Sequence, residues 1–155
     1  MPKLSAGLLL YRRDGDRIEV LIAHPGGPMW SRRDAGAWSI PKGAPDGAED
    51  LLEAARREFE EETGQVAPAG SPIDLGEVRM RSGKVVHGWA IEGDLEPAAI
   101  RSMVVEVEWP PRSGRRIEVP EIDRVAWAEP PEARERLNPA QAAFVDRLLA
   151  ALGSG

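Results

Sequence analysis

The stretch Gly43 to Gln65, GAPDGAEDLLEAARREFEEETGQ, places its charges where a self-sufficient helix would not put them. Asp46 to Glu49 has the D-x-x-E form of an N-terminal capping box, Gly64 suits the left-handed position that ends a helix, and Leu52, Ala55 and Phe59 recur as an apolar stripe. Glu58, Glu61 and Glu62 then fall three and four residues apart, so their carboxylates share one face near the C-terminal end. Like charges at that spacing cost about 0.2–0.5 kcal/mol per pair, and the negative end of the helix dipole opposes them as well. A cation should offset them. A divalent metal with oxygen ligands is the simplest choice, since hard cations such as Mg²⁺ favour clustered carboxylates and arrive with phosphate-bearing substrates. The apolar stripe lies about a quarter turn away, so one face packs on a sheet while the next looks into a cleft.

The same stretch carries a recognisable spacing: Gly43, five residues, Glu49, seven residues, then Arg57-Glu58-Phe59-Glu60-Glu61-Glu62-Thr63-Gly64. It resembles the Nudix box, G-x5-E-x7-R-E-U-x-E-E-x-G-U, where U is a bulky aliphatic, and every fixed letter matches. Two U positions depart. Phe59 is aromatic and Gln65 is polar, which leaves Val66 as the apolar side chain expected to take over after the helix. Outside the box, SAGLLLYRR near the start and EWPPRSGRR with PEIDRVAW near the end are similar to a bacterial branch of the family read as nucleoside-triphosphate pyrophosphohydrolases.

The resemblance implies an α+β fold, the Nudix α/β/α sandwich with a mixed β-sheet. It implies Mg²⁺ (or Mn²⁺) held by Glu61 and Glu62, with Glu58 one turn earlier as a third ligand and a backbone carbonyl from Gly43 or its neighbour Lys42. Arg57 stands four residues before Glu61, where its guanidinium can hold a carboxylate oriented, so its role is positioning. Glu49 opens the helix and is expected to cap it or to support a ligand from behind, and not to bind the metal itself. Hydrolysis of a phosphoanhydride needs a general base within reach of the attacking water. The family's loop before a Trp-bearing strand resembles Val119 to Trp127 and points to Glu121, with Glu58 as the alternative base.

For the substrate, Trp38-Ser39-Ile40-Pro41-Lys42-Gly43 is similar to the W-x-x-P-K-G lead-in of Nudix enzymes that cleave dinucleoside polyphosphates. Lys42 could meet a phosphate oxygen as a point charge. Arg79, Arg81 and Lys84 form a second basic group around one turn, and Trp30 and Trp89 are candidates to stack on a nucleobase. The activity implied is a divalent-metal-dependent pyrophosphohydrolase acting on a nucleoside diphosphate linked to another moiety, with dinucleoside polyphosphates or nucleoside triphosphates leading. An 8-oxo-dGTP-type sanitising hydrolase, a hydrolase of nucleotide sugars or ADP-ribose, and a non-catalytic nucleotide sensor stay open.

Composition bounds the alternatives. The 155 residues, 42% hydrophobic and 30% charged, suit one ordinary domain over residues 1–155 and argue against disorder. No apolar run reaches the length of a membrane helix, and MPKLSAGLLLYRRDG returns to charge too soon for a signal peptide, so a cytoplasmic protein without membrane partners is expected. The chain has no cysteine, which excludes disulfides, thiolate nucleophiles and Cys-ligated zinc, and two isolated histidines do not make a His-rich metal site. A net charge of −6 argues against tracking a nucleic-acid polymer, yet is compatible with a small polyphosphate whose charge is met by a bound metal. A monomer or a homodimer is expected.

Alternation predicts strands over Leu4 to Arg13 and Ile18 to His24 around an Asp14-Gly15-Asp16-Arg17 turn, then a loop over Pro25 to Gly36 able to cover a ligand, and a short strand over Ala37 to Ile40. Further strands are expected over Ile73 to Arg81, Lys84 to Glu92, Met103 to Trp109 and Arg124 to Trp127. An amphipathic helix over Pro139 to Leu152 closes the chain as the second of two substantial helices.

Overall fold

A computed structural model describes residues 3–153. In chain order the elements are β1 (Leu4–Asp14), β2 (Arg17–Pro25), β3 (Lys42–Gly43), α1 (Leu51–Thr63), β4 (Ile73–Arg79), β5 (Val85–Glu92), β6 (Val104–Glu108), β7 (Arg116–Pro120), β8 (Ile122–Ala128), α2 (Pro130–Arg136) and α3 (Ala142–Ala151). The main sheet runs β4-β5-β1-β2-β8, with β3 added against β1, and it is mixed: β1 and β5 are parallel while the other pairs are antiparallel. Strands β6 and β7 form a separate two-stranded ribbon. Among the described residues three α-helices accompany the sheet, in keeping with the expected α+β class.

The sheet is covered on both faces, and the run Leu8-Leu9-Leu10 shows how. Successive side chains of a strand point to opposite faces, so Leu8 and Leu10 join Ala54, Ala55 and Phe59 of α1, while Leu9 joins Phe144, Val145 and Leu148 of α3 on the other side. All three leucines are fully buried, each contributing about 1.5–3 kcal/mol of apolar transfer. That is why β1 reads as a continuous apolar run rather than an alternating one.

Strands β1 and β2 pair only near their hairpin, from Tyr11 opposite Val20 to Asp14 opposite Arg17. Beyond it they part, and residues 39–43 fill the fork. Ser39 bridges Ala23 of β2 through two backbone bonds of 2.8 and 2.9 Å, while Pro41 O accepts from Leu8 N–H at 3.0 Å and Lys42 and Gly43 lie opposite Gly7 and Ala6. The expected strand over Ala37 to Ile40 is therefore reduced to isolated bridges. Its N–H groups are spent elsewhere: Trp38 N–H donates to Arg136 O and Ile40 N–H to the side-chain oxygen of Gln141 at 2.9 Å.

Other departures have local causes. Helix α1 is capped by Asp50, which accepts from Glu53 N–H at 3.4 Å, whereas Asp46 to Glu49 forms a separate turn in which Asp46 N–H donates to Glu49 Oε1. Gly64 does end the helix in the left-handed conformation, φ 77°. Val66 does not supply the missing apolar contact, being 77% exposed; Ala67 enters the core instead. Helix α2 is hidden by Pro130-Pro131, which signals a break yet sits at a helix start, where N–H groups lack partners anyway. Strand β7 is hidden by the charge of its neighbours, and the closing helix begins with a 3-10 turn over Pro139–Gln141. Among the described residues no helix is long and apolar enough to cross a membrane.

Candidate active site

Helix α1 presents Glu58 and Glu62 toward the fork, and the junction between β7 and β8 brings Glu121 to meet them. One carboxylate oxygen from each of these three residues lies within 4.8 Å of the others. Glu58 and Glu62 are buried, at 9% and 5% exposure, which is unusual for glutamates that face one another. The meeting is fixed by backbone bonds: Met103 N–H donates to Glu61 O at 3.1 Å, Glu121 N–H to Met103 O at 2.8 Å, and Gly26 N–H to Glu121 O at 3.1 Å. The end of α1, the segment before β6, the start of β8 and the end of β2 are thereby linked in one chain.

The strip in the fork supplies the opposite wall. Lys42 N–H donates to Glu62 Oε2 at 3.3 Å, and Gly43 lies so close to Glu58 that a Cβ there would overlap its carboxylate. A small cleft of about 170 Å³ opens here, lined by Ala23, Ser39, Lys42, Glu62 and Glu121 among others. Gln141 is buried and holds the strip from behind: its oxygen accepts from Ile40 N–H and its nitrogen donates to Ser39 Oγ at 3.1 Å. Nothing in the sequence marks this lone glutamine, because its partner is a backbone amide about a hundred residues away.

Arg57 organises the rim. Its Nη1 donates to Glu58 Oε1 at 3.0 Å and to Glu61 Oε2 at 3.1 Å, its Nε and Nη2 meet Glu49 at 3.0 and 2.9 Å, and Nη2 also reaches Ala44 O at 3.0 Å. Glu49 thus receives the guanidinium as well as closing its own turn. Glu61 faces Arg57 at the rim and is not one of the three converging carboxylates.

The electrostatics follow from burial. Loss of hydration, then the nearby Glu121 charge, pushes the Glu62 carboxyl up to about 9, against the pull of Lys42. Burial raises Glu58 too, opposed by the hydrogen bond from Arg57, and raises Glu121, opposed by Lys42. Glu49 moves the other way because Arg57 donates to it. Three hard oxygen donors, each costly to ionise in the others' company, fit a divalent cation, which would repay the burial of their charges.

The remaining sequence candidates lie elsewhere. Arg79, Arg81 and Lys84 are exposed around the β4–β5 turn, and no hydrogen bond or ion pair joins them to the carboxylates among the described residues. Trp89 is 9% exposed and stacks on His87 with ring centroids 4.2 Å apart, so its faces are taken by the protein. Trp30 is half-buried, with Arg33 over its ring at 5.3 Å.

Comparison with known proteins agrees with this architecture. A complex of Ap4A hydrolase from C. elegans has the same fold (TM-score 0.69, 20% identity, covering 97% of this chain and 99% of that one). So do the NUDIX domain of NrtR from Shewanella oneidensis, complexed with ADP ribose (0.67, 16%, 98% and 89%), and the MutT protein from Methanosarcina mazei Go1 (0.61, 22%, 97% and 96%). No match is found among curated proteins. The family model described as NUDIX domain matches residues 1–148, and the chain accordingly belongs to the Nudix family of pyrophosphohydrolases.

Proposed function

We propose that this chain is a Mg²⁺-dependent (or Mn²⁺-dependent) cytoplasmic hydrolase of a nucleoside diphosphate linked to a further group, with dinucleoside polyphosphates or nucleoside triphosphates as its substrates. The observation that carries the reading is the convergence of Glu58, Glu62 and Glu121 beside Lys42 at the fork of the sheet. Glu58, Glu62 and the rim carboxylate Glu61, with the carbonyl at Gly43, would hold the cation, and Arg57 keeps Glu58 and Glu61 turned toward it. A divalent cation there supplies neutralisation of phosphate charge and acidifies water.

Lys42 brings an ammonium to the same cleft and can meet a phosphate oxygen. Glu121 is the residue assigned to accept the proton of the attacking water at a carboxylate oxygen. Among the described residues its side chain has no hydrogen-bond donor, whereas Glu58 is already engaged by Arg57, so Glu121 is the freer to take a proton. The likeness to an Ap4A hydrolase and the W-x-x-P-K-G lead-in both support a dinucleoside polyphosphate, and the ADP-ribose complex of the NrtR domain keeps ADP-ribose open as an alternative.

The test is incubation of the purified protein with Mg²⁺ and Ap4A, ATP, 8-oxo-dGTP, ADP-ribose and a nucleotide sugar in turn, with products separated by anion exchange. Cleavage of Ap4A or of a triphosphate supports the reading. Tight nucleotide binding with no release of phosphate, pyrophosphate or a nucleotide product would replace it with a sensor.

A further inference from the structure

The sheet carries a second concavity, of about 370 Å³, between the loop after β2, strand β8 and the end of α2. Its β8 residues, Arg124 and Ala126, alternate with Val125 and Trp127, which pack on the α1 side. The concavity therefore opens on the face opposite the carboxylates. Its lining holds four arginines, Arg32, Arg33, Arg124 and Arg136, against one carboxylate, Asp34. In a chain of net charge −6 this grouping runs against the average.

The four are placed by the frame around them. The guanidiniums of Arg124 and Arg136 lie 5.2 and 5.5 Å from the ring centre of the buried Trp38. Trp38 Nε1 donates to Asp34 Oδ1 at 2.7 Å, and Arg136 lies 3.6 Å from the same oxygen, so the single carboxylate of the lining is already engaged. Arg33 is held through its backbone oxygen, 2.7 Å from Nε2 of the fully buried His24, whose Nδ1 lies 3.0 Å from Asp123. Among the described residues Arg32 and Arg33 enter no ion pair. Arg124 and Arg136 meet Asp123 and Glu132 at 3.2 and 3.1 Å, but these pairs are partly exposed, contribute little and can be exchanged for a stronger anion.

We propose that this pocket binds an oligophosphate, the di- or triphosphate chain of an inorganic or nucleotide anion, without a metal ion and apart from the reaction cleft. Guanidinium forks match phosphate oxygens two bonds at a time, and four arginines lining one concavity, the Arg33 guanidinium 5.3 Å from the neighbouring Trp30 ring, favour a multiply charged chain over a single carboxylate. The volume lies within the range of small-molecule sites and suits one such anion rather than the track of a polymer. The proposal stands independently of the hydrolase reading.

The test is calorimetric titration of the full chain with inorganic tripolyphosphate in excess EDTA, repeated on Arg32→Gln/Arg33→Gln and on Glu62→Gln. Both arginines are exposed, so the double variant should fold. The expected result is one anion per chain, bound more weakly as salt is added. Affinity should fall at least about tenfold in the arginine variant and stay unchanged in Glu62→Gln. No binding without metal, equal binding in the arginine variant, or loss of binding in Glu62→Gln would each overturn it. Affinity that climbs with the length of a single-stranded oligonucleotide, instead of saturating with one tripolyphosphate, would overturn it in favour of a polymer surface.

Discussion

The carboxylate of Glu58 occupies the space that a side chain at Gly43 would need. The requirement for glycine is therefore steric, since Gly43 is not among the residues with a left-handed backbone. Gly43→Ala should push Glu58 out of the cluster and lower kcat at least about tenfold, the scale of losing ligand orientation. Adding Glu58→Asp, one methylene shorter, should raise the melting temperature above that of Gly43→Ala alone. Activity kept within twofold in Gly43→Ala would show that the Glu58 carboxylate does not need this position.

Glu62→Gln replaces a buried, ionisable carboxyl with a neutral amide of the same shape. Turnover should fall on the order of 10²-fold or more, because a neutral amide is a poor ligand for a hard cation. Thermal stability of the metal-free protein at alkaline pH should rise in the same variant. A Glu62→Gln enzyme with near-normal kcat would dismiss Glu62 as a ligand.

The pH dependence of stability follows from the same residue. Glu62 keeps its proton in the folded chain up to about 9, whereas the unfolded chain releases it near 4.5. Between these values the folded state binds more protons than the unfolded state, so the metal-free protein loses stability as pH rises through that window. Glu58 and Glu121 shift in the same direction and add to the slope. A divalent cation competes with those protons, so Mg²⁺ should raise the melting temperature more at the alkaline end of the window than at the acid end. Melting curves across pH with EDTA and with Mg²⁺ check this, and a flat metal-free profile would contradict it.

Arg57→Ala should weaken the binding of Mn²⁺, followed by its paramagnetic resonance signal, about 10–100-fold, as loss of a residue that orients ligands does. Arg57→Lys should recover only part, because an ammonium cannot reproduce the guanidinium's simultaneous bonds to Glu49, Glu58 and Glu61. Wild-type affinity in Arg57→Lys would mean that Arg57 contributes charge alone.

Glu121→Gln should reduce kcat about 10²–10⁴-fold, the range of a lost general base, and flatten the dependence of kcat on pH. An unchanged rate would return the base role to Glu58.

Helix α1 was readable because its sequence states its periodicity, its end at Gly64 and its charges within two dozen residues. Its start lies four residues beyond the capping box that the sequence suggests, since Asp46 and Asp50 both precede a residue able to complete a cap. The convergence of Glu58 with Glu62 follows from helix spacing, but the approach of Glu121 depends on Met103 and Gly26, whose backbone groups carry no trace in residue type. The same holds for Gln141 behind the strip. Trp89 shows the opposite limit: an aromatic in a strand looks alike whether it faces a ligand or stacks on His87.

The fork between β1 and β2 is bridged by main-chain hydrogen bonds from residues 39–43 to both strands. Bonds of that kind do not depend on which side chains flank them, so the spacing of the carboxylates from Lys42 is inherited from the path of the chain. Descendants of this sequence could exchange the residues around the cleft, and with them what it admits, while the place where the carboxylates meet Lys42 stays where it is.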